Sequence, residues 1–185
     1  MKKLPKNRNI LIGICGGISV YKSCELIRLL IKSDHKVKVV MTKAATRFIN
    51  PLVFRTLSKN PVYVEMFSEN QKEYTKHISL AKWADLCVVA PISANTLSKV
   101  ALGICDNLLT TVLCALPDSK KIILVPAMNN FMWKNPLIQE NVNKFKKIKR
   151  FVLIFPKSGE LACGAEGEGR MPEAKEIYKA INSNF

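Results

Sequence analysis

The sequence predicts a three-layer α/β fold, with a mainly parallel, Rossmann-like or flavodoxin-like sheet and helices on both faces. Three observations predict it. Short runs rich in Val and Ile recur along the chain and are apolar nearly throughout, as strands covered on both faces are. Segments with apolar positions at helical spacing separate them. Strands that alternate with helices are joined by right-handed crossovers, which build a parallel sheet.

The expected strands are Ile10–Ile14, Val37–Met41, Leu86–Ala90, Ile122–Val125 and Phe151–Phe155. The expected helices are Ser19–Ser33, Pro51–Lys59, Asn95–Leu102, Asp106–Ala115 and Pro136–Lys147. Pro172-Glu173 opens a last short helix to Asn182. Gly159, Gly164, Gly167 and Gly169 crowd into one stretch, which reads as a mobile binding loop rather than an element. No linker, internal repeat or low-complexity block interrupts the pattern.

The chain has 185 residues, 48% of them hydrophobic, which suffices for one domain with a full core and is short for two. No window approaches the roughly 18 apolar residues of a membrane span, and Ile10–Ile14 is too short for a signal-peptide core. Six cysteines show no C-x-x-C spacing, and His35 and His77 lie apart from any cysteine pair, so no metal site is expected. Most cysteines sit in apolar stretches as small hydrophobes, in keeping with a reduced, cytoplasmic chain. The net charge of +15 invites a nucleic-acid reading, yet the lysines are scattered. Lys144–Arg150 reads as a solvated helix end that leads into a strand. Neither nucleic acid nor membrane is expected as a partner.

Ligands of such sheets bind beyond the carboxyl ends of the strands, so the candidate residues follow the strand runs. After the first comes Gly13-Ile14-Cys15-Gly16-Gly17-Ile18-Ser19, then a helix whose N-terminus attracts an anion. It is not G-x-G-x-x-G, and the second strand ends in Met41-Thr42-Lys43 without an acid for a ribose, which disfavours a dinucleotide. A mononucleotide phosphate held by backbone amides and Thr42 fits better; a purely structural Gly-Gly turn fits equally well. Ser93, Asn95 and Thr96 supply more hydrogen-bonding side chains than one helix cap needs, so a ligand role is expected. Pro126-Ala127-Met128-Asn129 offers a second wall of the same crevice, or else a core Met/Trp cluster with a capping Asn. His35, in a polar turn, is expected to be exposed.

Four blocks together resemble the homo-oligomeric flavin-containing cysteine decarboxylases, and within them the group that serves coenzyme A biosynthesis. His77-Ile78-Ser79-Leu80 with Trp83-Ala84-Asp85 resembles the family's histidine motif. Pro126-Ala127-Met128-Asn129 with Met132-Trp133 resembles its P-x-M-N-x-x-M-W signature. Leu161-Ala162-Cys163-Gly164, with Gly169-Arg170-Met171, resembles its substrate clamp, and Ser93-Ala94-Asn95-Thr96 its flavin-contact segment. The likeness runs from about Ile10 to Met171.

The resemblance implies a single FMN-binding domain over residues 1–185. Gly16, Gly17, Ile18 and Thr42 would meet the phosphate and ribityl chain, and Ser93, Ala94, Asn95, Thr96 and Ala127 the ribityl chain and ring. It implies catalytic His77 and Cys163 and a substrate site of Asn129, Leu161, Ala162 and Lys82, with Lys82 reaching a neighbouring subunit in a trimer or an assembly of trimers. The expected reaction is decarboxylation of a phosphorylated cysteine conjugate, 4'-phosphopantothenoylcysteine, to 4'-phosphopantetheine. An ordinary cysteine carboxylate has no electron sink; flavin provides one by exchanging hydride. The enethiol left by loss of CO2 must then be reduced, with Cys163 as the implied proton donor. The alternatives are a peptidyl-cysteine decarboxylase, a flavin prenyltransferase and a non-catalytic regulatory flavoprotein subunit.

Overall fold

A computed structural model describes residues 7–67, 75–160, 164 and 166–183. Six parallel strands form the central sheet: β1 (Asn9–Ile14), β2 (Lys36–Met41), β3 (Val62–Tyr63), β4 (Leu86–Ile92), β5 (Lys121–Pro126) and β6 (Phe151–Leu153). Their order is β3-β2-β1-β4-β5-β6. The chain winds outward from β1 in one direction, returns to the middle, and winds outward from β4 in the other. This is the doubly wound order, with the switch point between β1 and β4.

Burial explains why these runs are strands. All seven residues of β4 are buried, because helices cover both faces. Ile10, Ile12, Val37, Val39, Met41 and Val88 face one core, with Leu26, Ile27 and Leu30 of α1 (Val20–Lys32). Phe54 of α2 (Pro51–Ser58) and Ile177 and Ile181 of α8 (Ala174–Ser183) complete that layer. Leu11, Val40, Cys87, Val89, Ile122 and Leu124 face the other core. There they meet α3 (Lys76–Trp83), α4 (Ala94–Leu102), α5 (Leu108–Ala115) and α7 (Pro136–Lys146). The alternation of inward residues between two cores gives continuous apolar runs in the sequence.

Side-chain caps set the helix starts. Asn50 accepts from the Leu52 amide with Pro51 at the first helical position, and Asn135 from the Leu137 amide before Pro136. Asn107 and Thr110 make a reciprocal capping box on α5. Gly103 ends α4 at φ +71°, a left-handed turn that glycine adopts without strain. A five-residue α6 (Asn130–Lys134) follows β5. The run Lys144–Arg150 is the end of α7 leading into β6, as expected, with its lysines exposed.

Four expectations need correction. The glycine-rich stretch is not a plain loop: β7 (Lys157–Glu160) and β8 (Glu166–Arg170) pair antiparallel as a separate two-stranded ribbon. The last sheet strand stops at Leu153 rather than Phe155, which is half-exposed. His35 is not exposed but 5% accessible, because its amide bonds Leu30 O and the turn after α1 folds back on itself. Cys105 and Cys114 are exposed, whereas Cys15 and Cys87 are fully buried. Among the described residues no helix is long and apolar enough to cross a membrane, and no group of three metal-ligating side chains gathers.

Candidate active site

At the carboxyl ends of β1, β4 and β5 lies a cavity of about 640 Å³. That size is typical of cofactor and small-ligand sites. Three loops and β8 build it: Gly16 to Ser19 after β1, Ser93 and Ala94 after β4, Ala127 to Asn129 after β5, and Gly169 to Met171.

The first loop is shaped by close approach. A Cβ on Gly16 would lie 2.9 Å from Ala44 Cβ and 3.0 Å from the Ala44 carbonyl carbon, whereas Gly17 has open space. The Cys15 amide donates to Pro91 O at 3.1 Å and ties this loop to the end of β4. Burial pushes the Cys15 thiol up, which Thr96 and Ser93 only partly offset by hydrogen bonding, so it is an inert packing group. Ser19 precedes α1 without a side-chain cap bond, and no acidic residue sits in the first turn. An anion is therefore favoured at this helix start by the dipole and amides.

Lys22, one turn into α1, is 5% exposed and lines the cavity. Its Nζ donates to Met171 O at 2.8 Å and pairs with Glu173 Oε1 at 2.7 Å. Arg170 Nη2 also reaches Glu173, at 3.2 Å. The Lys22 hydrogen bond first, then the charges of Lys22 and Arg170, hold the Glu173 carboxyl below its usual range. The Met128 amide donates to Gly169 O at 3.1 Å, which fastens β8 across the β5 loop. Asn129 caps α6, its Oδ1 accepting from the Phe131 amide at 2.9 Å. Trp133 is buried against the second core, with Phe155 edge-on at 6.3 Å. The two alternative readings of the P-x-M-N-x-x-M-W block coexist: Met128, Asn129 and Met132 line the cavity, and Trp133 packs the core.

Of the sequence-expected residues, Gly16, Gly17, Ile18, Ser93, Ala94, Ala127 and Asn129 line the cavity. Thr42 does not: its Oγ1 accepts from the Ala45 amide at 3.3 Å and shapes the turn after β2. Asn95 is exposed on the outer face of α4. Thr96 is buried and bonds Ser93 Oγ at 3.4 Å, so Ser93 and Thr96 together form the start of α4. Half-buried His77 and exposed Lys82, on α3, are not among the lining residues of this chain's cavity. Leu161, Ala162 and Cys163 lie outside the described residues. Lys22 is not among the sequence-expected residues, although a lysine one turn before Leu26 on the apolar stripe of Val20, Leu26, Ile27 and Leu30 is its signal.

The flavoprotein family matches residues 1–185. The probable phosphopantothenoylcysteine decarboxylase of Streptococcus mutans is 42% identical over 178 residues, which cover 96% of this chain and 99% of that protein. The coenzyme A biosynthesis bifunctional protein CoaBC of Borreliella burgdorferi is 42% identical over 182 residues. There the match covers 98% of this chain, which spans 46% of that longer protein. Among solved structures, a PPC decarboxylase mutant complexed with pantothenoylaminoethenethiol superposes with a TM-score of 0.83 at 31% identity, covering 95% of this chain and 97% of that one. This chain belongs to the flavoprotein family, in the group of the phosphopantothenoylcysteine decarboxylases.

Proposed function

We propose that this chain is an FMN-dependent carboxy-lyase that turns 4'-phosphopantothenoylcysteine into 4'-phosphopantetheine for coenzyme A synthesis. The cavity at the switch point carries this reading, because Ser93 and Ala94, Ala127 to Asn129 with Met132, and Gly169 to Met171 of the resembling blocks line it. The residues present fit the cofactor. The open Gly17 and the uncapped start of α1 suit a phosphate, and Ser93, Ala94 and Ala127 suit a flat ring and polyol. When bound, the flavin supplies the hydride acceptor and donor that a cysteine carboxylate lacks.

The net reaction breaks the bond to the carboxylate carbon, releases CO2 and adds a proton. Asn129, oriented by its cap on α6, would hold the carboxylate with its amide nitrogen as donor, without an ion pair that would favour retaining the charge. His77 would hold or accept the substrate thiol proton, with Lys82 near the substrate. Their position on α3 supports an assembly, a homotrimer or a larger set of trimers, in which they serve the cavity of a neighbouring copy. Cys163, between β7 and β8 in sequence, would deliver the proton that completes the saturated thiol, with Leu161 and Ala162 beside the substrate. The chain is read as cytoplasmic, with a phosphorylated small molecule as substrate.

The test is to purify the protein, record its visible spectrum and add 4'-phosphopantothenoylcysteine. The expected result is a bound flavin spectrum, CO2 release and saturated product. In Cys163→Ser, CO2 release continues while the unsaturated enethiol accumulates. A colourless protein that FMN does not reconstitute, or a flavoprotein that leaves this substrate intact, overturns the reading.

A further inference from the structure

Far from the cavity, near the amino ends of β5 and β6, lies a second cavity of about 270 Å³. Gly103, Cys105, Thr110, Cys114 and Arg150 are among its lining residues. Both cysteines are exposed and reduced. Cys105 Sγ lies 3.8 Å from Thr110 O, the carbonyl that the Cys114 amide meets in the helical ladder of α5. Helical side chains lean toward the N-terminus, so the Cys114 thiol leans over that same turn, toward Cys105. Both cysteines line the same cavity. The loop that carries Cys105 is held in place: Thr111 Oγ1 donates to Cys105 O at 3.2 Å, and Lys99 pairs with Asp106 at 2.5 Å.

We infer that Cys105 and Cys114 form a dithiol site that low-molecular-weight disulfides oxidise to an internal disulfide, stapling the α4–α5 loop to α5. One thiolate of the pair attacks a sulfur of RS–SR, which forms a mixed disulfide and releases RS⁻. The second thiol gives up its proton to solvent and attacks the protein sulfur of that mixed disulfide. The Cys105–Cys114 bond forms and a second RS⁻ leaves. The protein loses two electrons and two protons, and the small disulfide gains both electrons. Burial, then hydrogen bonding and charge from Cys114 and the charge of Asp106, raise the Cys105 thiol above its ordinary range. Cys105 therefore rests as a thiol, and its exchange with a disulfide proceeds through the minor thiolate fraction. Cys15 and Cys87 are fully enclosed and Cys24 is half-buried, so Cys105 and Cys114 are the exposed thiols among the described cysteines.

The test equilibrates the full chain anaerobically in glutathione buffers of rising oxidised fraction, then denatures, alkylates and digests with trypsin. No Lys or Arg lies between Val100 and Ser119, so both cysteines fall in one peptide. The expected product is this peptide unalkylated and lighter by two hydrogens, while the peptides of Cys15, Cys24 and Cys87 are alkylated. In Cys105→Ser, Cys114 instead retains glutathione as a stable adduct. Alkylation of both cysteines at every ratio overturns the site, and so does a glutathione adduct on the native chain without ring closure. A bond from either cysteine to Cys163 overturns it too.

Discussion

Replacing Gly169 by alanine puts a methyl carbon 2.1 Å from the carbonyl oxygen of Met128. Real Cβ contacts essentially never fall below 3.0 Å, so strand and loop must part by about 0.9 Å or more. The backbone at Gly169 also has φ +152°, a region that other residues avoid. The two costs, with weakening of the Met128 amide bond to Gly169 O, sum to about 2–5 kcal/mol. For a chain of this size that is a fall in Tm of roughly 4–20 °C. Gly103→Ala is the control: its φ is +71° but nothing lies within 4 Å of the added carbon. It carries backbone strain alone, about 1–2 kcal/mol. The assay is a thermal melt of both variants, read beside their bound flavin per protein. Gly169→Ala should melt below Gly103→Ala and hold less flavin, since the displaced strand is a wall of the cavity. Equal melting temperatures with full flavin content would refute the reasoning.

Lys22→Met removes the buried donor to Met171 O and should cost about 1–3 kcal/mol by urea unfolding. It should also alter the acid limb. The Glu173 carboxyl is held below its usual value of 4.5 in the fold, so its contribution is present above that pH and fades as pH falls through the lower folded value. The variant should show a shallower loss of stability below about pH 4.5 than the parent. His35 is displaced in the same protonation sense, for a different cause: burial lowers its pKa from 6.5, so the fold favours the neutral ring. Its stability is full above pH 6.5 and declines as pH falls below it, and His35→Gln should flatten that slope in unfolding measurements between about pH 7 and 5. Asn107→Ala breaks the capping box of α5 and should cost about 1 kcal/mol in the same assay.

The central strands were legible because burial on both faces leaves no polar position in them, as in Leu86–Ile92. β3 is two residues beside Pro61, too short to carry a pattern. The ribbon of β7 and β8 was illegible for a different reason. Lys157–Glu160 and Glu166–Arg170 contain no apolar side chain, so their pairing leaves no hydrophobic trace. Asn95 and Thr96 are not separable in the sequence from plain helix-start residues, because a hydroxyl or amide there reads the same whether it meets a ligand or its own backbone. The glycines after β1 and the Asn129 block were readable, because the switch point fixes where the strand ends converge. The position of α3 away from the cavity could not be read, since it depends on the packing of Leu80 and Ala81 against α5.

The bond from Lys22 to Met171 joins positions 149 residues apart. On a ribosome, the first wall of the cavity emerges early and its last wall only when almost all of this sequence has been made. Until then the ammonium of Lys22 has neither its carbonyl nor its carboxylate, although β4 is already made and can lie beside β1. A nascent chain halted before Gly169 would lack the wall that Gly169, Arg170 and Met171 give the cavity.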